Sequence, residues 1–396
     1  MMSRQPSPEL VVSAMLERGH PIKAEMADWA RAALDPGDMV ARDLECEFFR
    51  EGWERIAARG VLGSIIPTVH GGQGLDVVTA ALMLEGLGLG CLDNGLVYGV
   101  ASQMLSFQEA ILHFGSPAQK QYVLGPACAG ALIGAFAITE AESGSDAYSL
   151  ATTATRRGDT WILDGEKSHI TLAPVADVAV VFARTDPDLG RWGITAFLVH
   201  RDRPGVTFSD TRPKMGLRTT PFGNIVLDGY EASTDDMLGN EGSGASLFAT
   251  CMESERSMIM ASHLGAAERL VDEAISRANE REQFGRPIGT FQAVSHRLVD
   301  MTMRLEAARL QVYKATAAFG AGKATLPAAM AKLAASEAIA AIGIDAARIH
   351  GARGYVTEYE VEREVRDALG SLVYAGTSDV QKNTIAALLG VRGQGS

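Results

Sequence analysis

Cysteine is scarce: four residues in 396, Cys46, Cys91, Cys128 and Cys251, stand far apart. There is no Cys-x-x-Cys pair and no Cys/His spacing suited to a metal ion. A disulfide scaffold and a structural metal site are therefore not expected, and the four read as buried thiols in a reducing compartment. Long hydrophobic runs are missing too. The most apolar stretch, Gly125 to Ile138, is rich in glycine and shorter than the ~20 residues a membrane-spanning helix needs. Met1 to Leu10 carries Arg4, Pro6, Pro8 and Glu9 and lacks the apolar core of a signal peptide, so the expected location is the cytoplasm, without membrane insertion. Positive charge is in deficit: 36 Lys and Arg against 48 Asp and Glu give −12. A chain of that sign is a poor polyanion binder, so nucleic acid is not an expected partner. Walker A, HExxH and G-x-S-x-G sequences are absent. Gly86 to Gly90 (GLGLG) ends a helical pattern instead of following a strand, which argues against a Rossmann fingerprint.

What is present is the composition of a globular protein, 47% hydrophobic and 21% charged, long enough for two or three domains at ~150 residues each. Three zones differ in pattern, with expected boundaries 1–130, 131–240 and 241–396. The first reads as helical. Phe48, Phe49, Trp53 and Ile56 have helical spacing within Glu47 to Ala58, and Thr79 to Leu89 and Leu105 to Phe114 repeat the signal. Pro67 and Gly71-Gly72 break it. The middle zone changes to short β-branched and aromatic runs: Val178 to Ala183, Ile194 to Val199 and Asn224 to Leu227. Trp161-Ile162-Leu163 leads into Asp164-Gly165, a turn dipeptide. Short strands without intervening helices predict an antiparallel sheet or small barrel. In the third zone Leu298, Met301, Leu305, Ala308 and Val312 step by three and four residues. They draw one apolar stripe on a long helix, suited to core or subunit contacts. Pro327 opens the next helix.

Four segments carry more than pattern. They are AFAITEAESGSD (Ala135 to Asp146), GEKSHIT (Gly165 to Thr171), REQFGRPIG (Arg281 to Gly289), and IHGARGY (Ile349 to Tyr355) continuing to YAGTSDVQ (Tyr374 to Gln381). Together, and in this order, they resemble the acyl-CoA dehydrogenase family over most of the chain from about Leu62. The resemblance implies an α+β fold: an N-terminal helical domain, a middle antiparallel β-barrel domain and a C-terminal four-helix-bundle domain. It also implies bound FAD and dehydrogenation of a thioester. Phe136, Ile138, Thr139, Gly144, Ser145, His169 and Thr171 fall on the family's flavin-holding positions, with His169 where many relatives place Trp. Arg281, Gln283 and Phe284 match contacts to the adenine and pyrophosphate end, as Thr377 and Asp379 match C-terminal ones. A planar guanidinium suits a pyrophosphate. In relatives the Arg281 segment and the glycine segment containing Gly351 and Gly354 come from a neighbouring subunit. The resemblance therefore implies a homo-oligomer, a homodimer at least and a tetramer by expectation.

Removing an α-proton from a thioester needs a base, and its oxygen needs hydrogen-bond donors as enolate charge develops. In much of the family the base is the Glu of a YEGT sequence, but this chain has Ala375 there. A smaller branch, the isovaleryl-CoA dehydrogenases, takes its carboxylate from another helix, and Glu255 falls on that position. Glu253 and Glu255 would project about 200° apart on a helix, so only one faces the flavin. The resemblance assigns Glu255 as base and keeps the main-chain N–H of Ala375 as an oxyanion donor. Ser145, Arg256 and Gly376 fall at substrate-contacting positions.

The ending from Ala375 to Gly395, with Ile170 to Ala183 and Asp186 to Val199, resembles L-prolyl-carrier-protein dehydrogenases. It implies an acyl or aminoacyl group tethered to an acyl or peptidyl carrier protein in natural-product biosynthesis. Alternatives are a short- or branched-chain acyl-CoA dehydrogenase of isovaleryl type, and a non-catalytic flavin-binding assembly partner. Carrier proteins are acidic, and Arg201, Arg203, Arg212, Lys214 and Arg218 cluster in sequence as a possible docking patch or as a solvated face. No segment carries a signature for an electron acceptor.

Overall fold

The structure is a computed structural model describing residues 5–391 except 36. The first residues of the N-terminal segment and the last of the ending, 392–396, lie outside the described residues.

Eight helices come first: α1 Pro8–Leu16, α2 Pro21–Ala33, α3 Met39–Glu45, α4 Arg50–Ala58, α5 Val77–Gly90, α6 Asn94–Ser102, α7 Glu109–Phe114 and α8 Pro117–Cys128. Side-chain caps fix several starts: Asp76 accepts from Val78 N and Thr79 N at α5, and Ser116 forms a capping box with Gln119 at α8. Between α6 and α7, Gln103–Gln108 winds as a π-helix, the widened turn that often marks a functional position. The helical pattern expected over Leu105 to Phe114 thus contains a register shift.

Strands follow: β1 Gly134–Ala137, β2 Thr153–Arg157, β3 Thr160–Thr171, β4 Val178–Arg184, β5 Ile194–His200, β6 Val206–Phe208, β7 Phe222–Ser233 and β8 Met237–Leu238. They form one eight-stranded sheet in the order β6-β7-β3-β2-β4-β5-β8, with β1 beside β4. The middle domain is therefore a sheet, not the closed barrel expected from the sequence. Its edge strands, of three and two residues, are too short to pair across and close it. Most pairings are antiparallel, but β1 and β2 each meet β4 in parallel, β2 through the single pair Thr153↔Arg184. Asp164-Gly165 is not a hairpin turn either. β3 runs straight through it with a register shift between Leu163 and Gly165, and Gly165, at φ 144°, packs against Thr152.

Helices return as α9 Gly244–Met258, α10 Met260–Glu280, α11 Gln292–Gly320, α12 Thr325–His350, α13 Val361–Gly370 and α14 Ser378–Leu388, with a small hairpin, β9 Glu282–Gln283 and β10 Arg286–Pro287, before α11. The long helices α9 to α12 pack on one another as a bundle. Met301, Leu305, Ala308 and Val312 are buried as the stripe predicts. Thr325–Gly354 is long and apolar enough to cross a membrane, but 61% of its apolar window is buried in the protein, as in a core helix.

The first and last zones share one interior. Gly86 and Gly90 face α2, where a Cβ would come within 2.4 Å of the Lys23 carbonyl oxygen and 2.2 Å of that of Ala27. Gly88 faces α10, 1.8 Å from the Ser262 oxygen on the same test, and Gly265 answers from α10 at 2.0 Å from the Glu85 oxygen. The GLGLG run is a helix-packing seam. Beside it, buried Lys23 and Arg309 pair with buried Glu85 and Glu268 at 2.5–3.4 Å, and Tyr313 donates to Glu85 at 2.6 Å. Two cations meet two anions, so no net charge is left inside.

Candidate active site

The middle sheet and the bundle meet at aromatic residues. Phe136 on β1 stacks on Phe248 of α9 at 6.4 Å between centroids, and Tyr148 meets the same ring edge-on at 5.8 Å. Two turns further along α9 stands Glu255. Its side chain is buried, and its Oε2 accepts from the Ser106 hydroxyl of the π-helix at 2.7 Å. Burial pushes its pKa up, against the opposing pull of Ser106, Arg256 and Lys332. Glu253 turns the other way, half-buried, and accepts from Thr325 at 3.0 Å. Of the two carboxylates, Glu255 is thus the one facing inward.

Among the described residues Arg256 forms no ion pair with Glu255. Its Nε donates to the Ala375 carbonyl at 2.9 Å, and Gln381 Nε2 donates to the Ala375 and Gly376 oxygens at 3.0 and 3.1 Å. These bonds fix a strained loop, with Ala375 at φ 54° and Gly376 at φ 90°. The φ of 90° favours glycine at 376, where a Cβ would also press on Gln381 Nε2 at 2.7 Å. Among the described residues the N–H groups of Ala375 and Gly376 have no acceptor. Thr377 then caps α14 through Val380 N, while Asp379 is exposed, 3.7 Å from Lys382.

Tyr98 on α6 bridges the parts: its ring lies 4.6 Å from that of Tyr374, its hydroxyl 3.5 Å from Thr171 Oγ1, and burial, then Glu255, raise its pKa. Thr171 ends β3. Just before it His169 sits exposed at φ 62°, at the register shift between Lys167 and Ile170, a bulge that re-aims its side chain. Ser168 N donates to the Thr139 carbonyl at 2.9 Å, tying the ITE stretch to β3. Glu140 of that stretch is structural: it accepts from Lys167 at 2.6 Å and from Ala151 N and Thr152 N at 2.6 and 3.0 Å. Ile138 is buried, whereas Gly144 and Ser145 are exposed, with open space around Gly144. The hydroxyls of Thr139 and Ser145 have no partner among the described residues.

Other expected positions stand apart. Arg281, Gln283 and Phe284 lie on the exposed β9–β10 hairpin, and Phe284 is 94% exposed at φ 53°. Gly351 is exposed, while Gly354 packs against Ala347, whose oxygen would lie 2.4 Å from a Cβ. Among the described residues none of these bonds to the cluster around Glu255. The sequence-adjacent cations do not make a free basic face. Arg201 donates to Ala173 and Ala176 oxygens, Arg203 pairs with Asp236, Lys214 donates to Thr220 and Arg218 to Asp43 and Leu44; of the five, Arg212 is exposed and has no such bond among the described residues. The loop from 201 to 221 has few sheet partners, so these side chains satisfy main-chain oxygens instead.

Reading by residue type missed Ser106 and Lys332. Lys332 of α12 is 0% exposed, its Nζ lies 6.0 Å from the Tyr374 ring centroid, and it has no hydrogen-bond partner among the described residues. Burial, with Arg256 nearby, lowers its pKa to about 8. A lone lysine inside the alanine-rich AAMAKLAASEA run was its signal. Ser106 had none, because the π-turn that aims it leaves no mark in the spacing.

Helices, an open sheet and helices in that order, with an inward carboxylate at their seam, define a three-domain helix–sheet–helix protein. The N-terminal, middle and C-terminal domains of acyl-CoA dehydrogenases match residues 17–131, 135–230 and 242–390. The chain belongs to the acyl-CoA dehydrogenase family. It is 39% identical over 341 residues to an L-prolyl-[peptidyl-carrier protein] dehydrogenase of Pseudomonas fluorescens, covering 86% of this chain and 90% of that protein. Against the human mitochondrial short-chain specific acyl-CoA dehydrogenase, identity is 38%, with 85% and 81% covered. Among solved structures it superposes on the prolyl acyl carrier protein oxidase AnaB with a TM-score of 0.92 at 39% identity, covering 97% and 100% of the two chains. For PigA with FAD and proline the TM-score is 0.91 at 33% identity, covering 98% and 99%.

Proposed function

We propose that the protein is an FAD-dependent dehydrogenase that introduces an α,β double bond into an acyl or aminoacyl thioester carried on a carrier protein. The observation that carries this is the inward Glu255 carboxylate beside a clamped loop whose N–H groups are free. The residues at the seam fit a flavin. Phe136, Ile138, Thr139, Ser145, His169 and Thr171 would hold the ring, and the unpartnered hydroxyls and open Gly144 suit an edge made of carbonyl oxygens and ring nitrogens. When bound, FAD supplies the acceptor for the hydride leaving the β-carbon.

The chain's own part is proton and charge handling. Glu255 takes the α-proton. The Ala375 N–H donates to the thioester oxygen as negative charge builds there, while Arg256 and Gln381 keep its peptide from turning. Ser145 and Gly376 line the substrate side. An alanine at 375 leaves this donor intact because the donor is main chain.

Arg281, Gln283, Phe284, Gly351, Gly354, Thr377 and Asp379 would serve the far end of the cofactor. The exposure of Arg281, Gln283, Phe284 and Gly351 suits contacts made to a neighbouring copy, which supports a homo-oligomer, with a tetramer as the fullest form. The carrier-protein reading draws on the two prolyl-carrier relatives; the similarity to a short-chain acyl-CoA dehydrogenase favours CoA as the second reading. The test is anaerobic mixing of the yellow protein with L-prolyl-carrier protein and, separately, butyryl-CoA. Faster bleaching with the carrier protein is expected, and faster bleaching with butyryl-CoA would replace it by the CoA reading. Glu255→Gln should keep its flavin and lose bleaching by at least ~10²-fold; undiminished bleaching would remove Glu255 from the mechanism.

A further inference from the structure

We propose that Ser106 is a positioning residue for Glu255: its hydroxyl pins Oε2 so that Oε1 alone is offered to the substrate's α-carbon. This rests on Glu255 being the base. Ser106 Oγ to Glu255 Oε2 is 2.7 Å, and both side chains are more than nine-tenths buried. Among the described residues no other group donates to Glu255, so Oε1 is free. The contact depends on the π-helix Gln103–Gln108, which turns Ser106 toward α9.

A buried carboxylate tends to stay protonated and is then no base. The groups around Glu255 decide between the two forms. On α9, Arg256 favours the anion, while the buried Cys251 thiol stays neutral, its pKa well raised by burial and by Glu109 and Glu255. From α6 and the loop before α14, Tyr98 and Tyr374 are neutral phenols with raised pKa values. From the π-helix and α12 come Ser106 and Lys332, both favouring the anion. Neither Tyr98 nor Tyr374 donates to Glu255 among the described residues, so Ser106 supplies the only direct bond.

The experiment is a pH titration of the flavin-loaded protein followed by infrared spectroscopy, using the carboxyl band that disappears in Glu255→Gln. Ser106→Ala removes one oxygen and should raise the midpoint of that band by about one pH unit, the effect of one hydrogen bond to a charged group. Ser106→Thr should restore it. Thermal melting should show each variant folded. The acid limb of anaerobic bleaching by L-prolyl-carrier protein should move with the band. Coincident midpoints for Ser106→Ala and the unaltered protein would overturn this inference while leaving the base in place. Wild-type bleaching in Glu255→Gln would overturn the base itself.

Discussion

His263 is buried on α10 between Ser262 and Tyr374, whose hydroxyl lies 2.7 Å from its Nε2. Burial lowers its pKa from 6.5 to about 4. Its unfolded form binds a proton that its folded form refuses, so it adds stability above pH 6.5 that is lost as pH falls toward 4. The full swing is about 3 kcal/mol. Asp367, raised to about 6 by burial, titrates in the opposite sense over the same range, so a comparison isolates the histidine. Between pH 7 and 5 the melting temperature of the unaltered protein should fall further than that of His263→Asn. Equal falls would mean His263 is already charged when folded. At this scale the sequence was partly readable. The 200° separation of Glu253 and Glu255 follows from helix geometry and matches their opposite orientations. Ser106 stayed hidden because its meaning lies in a helix far away in the chain, whereas Lys332 showed only as a lone lysine in an alanine-rich run.

At the scale of elements, the glycines of α5 carry a clear test. Gly-to-Ala inside a helix ordinarily gains up to ~1 kcal/mol. At Gly88 the new carbon would land 1.8 Å from a main-chain oxygen of α10, an atom that cannot swing aside. Gly88→Ala should therefore cost at least ~2 kcal/mol in denaturant unfolding. Gly99→Ala on α6, where the nearest neighbour lies at 3.4 Å, should be neutral or stabilising. If both variants behaved alike, the seam would not be tight. The absence of a preceding strand was enough to reject a nucleotide loop at GLGLG, but the packing role needed the partner helix. Asp164-Gly165 was misread for a related reason: a glycine can end a strand or only kink it, and the choice lies with Thr152 and β7. The long stripe of α11 was legible because one helix face set by periodicity needs no partner to be seen.

For the whole molecule, the order helix, sheet, helix could be read along the chain, whereas closure of the sheet could not. Closure depends on how long the edge strands grow, and β6 and β8 stop short. Val299 and Met303 on α11, Phe284 on the β9–β10 hairpin and Tyr355 in the glycine segment are exposed apolar residues. Arg281→Ala should leave folding intact, because among the described residues its side chain makes no hydrogen bond or ion pair. It should nevertheless lower flavin retention at least ~10-fold after gel filtration, measured as the ratio of visible to ultraviolet absorbance. Full retention would detach this hairpin from the cofactor.

The ion cluster of Lys23, Glu85, Glu268 and Arg309 sets a timetable for biosynthesis. Lys23 and Glu85 emerge from the ribosome early, but Arg309, the second cation, follows only after more than two hundred further residues. Until it arrives Glu85 has half its counter-charge, and the interior it belongs to has no lid. The leading helices must wait, loosely gathered and wet, for the final third of the chain to be made.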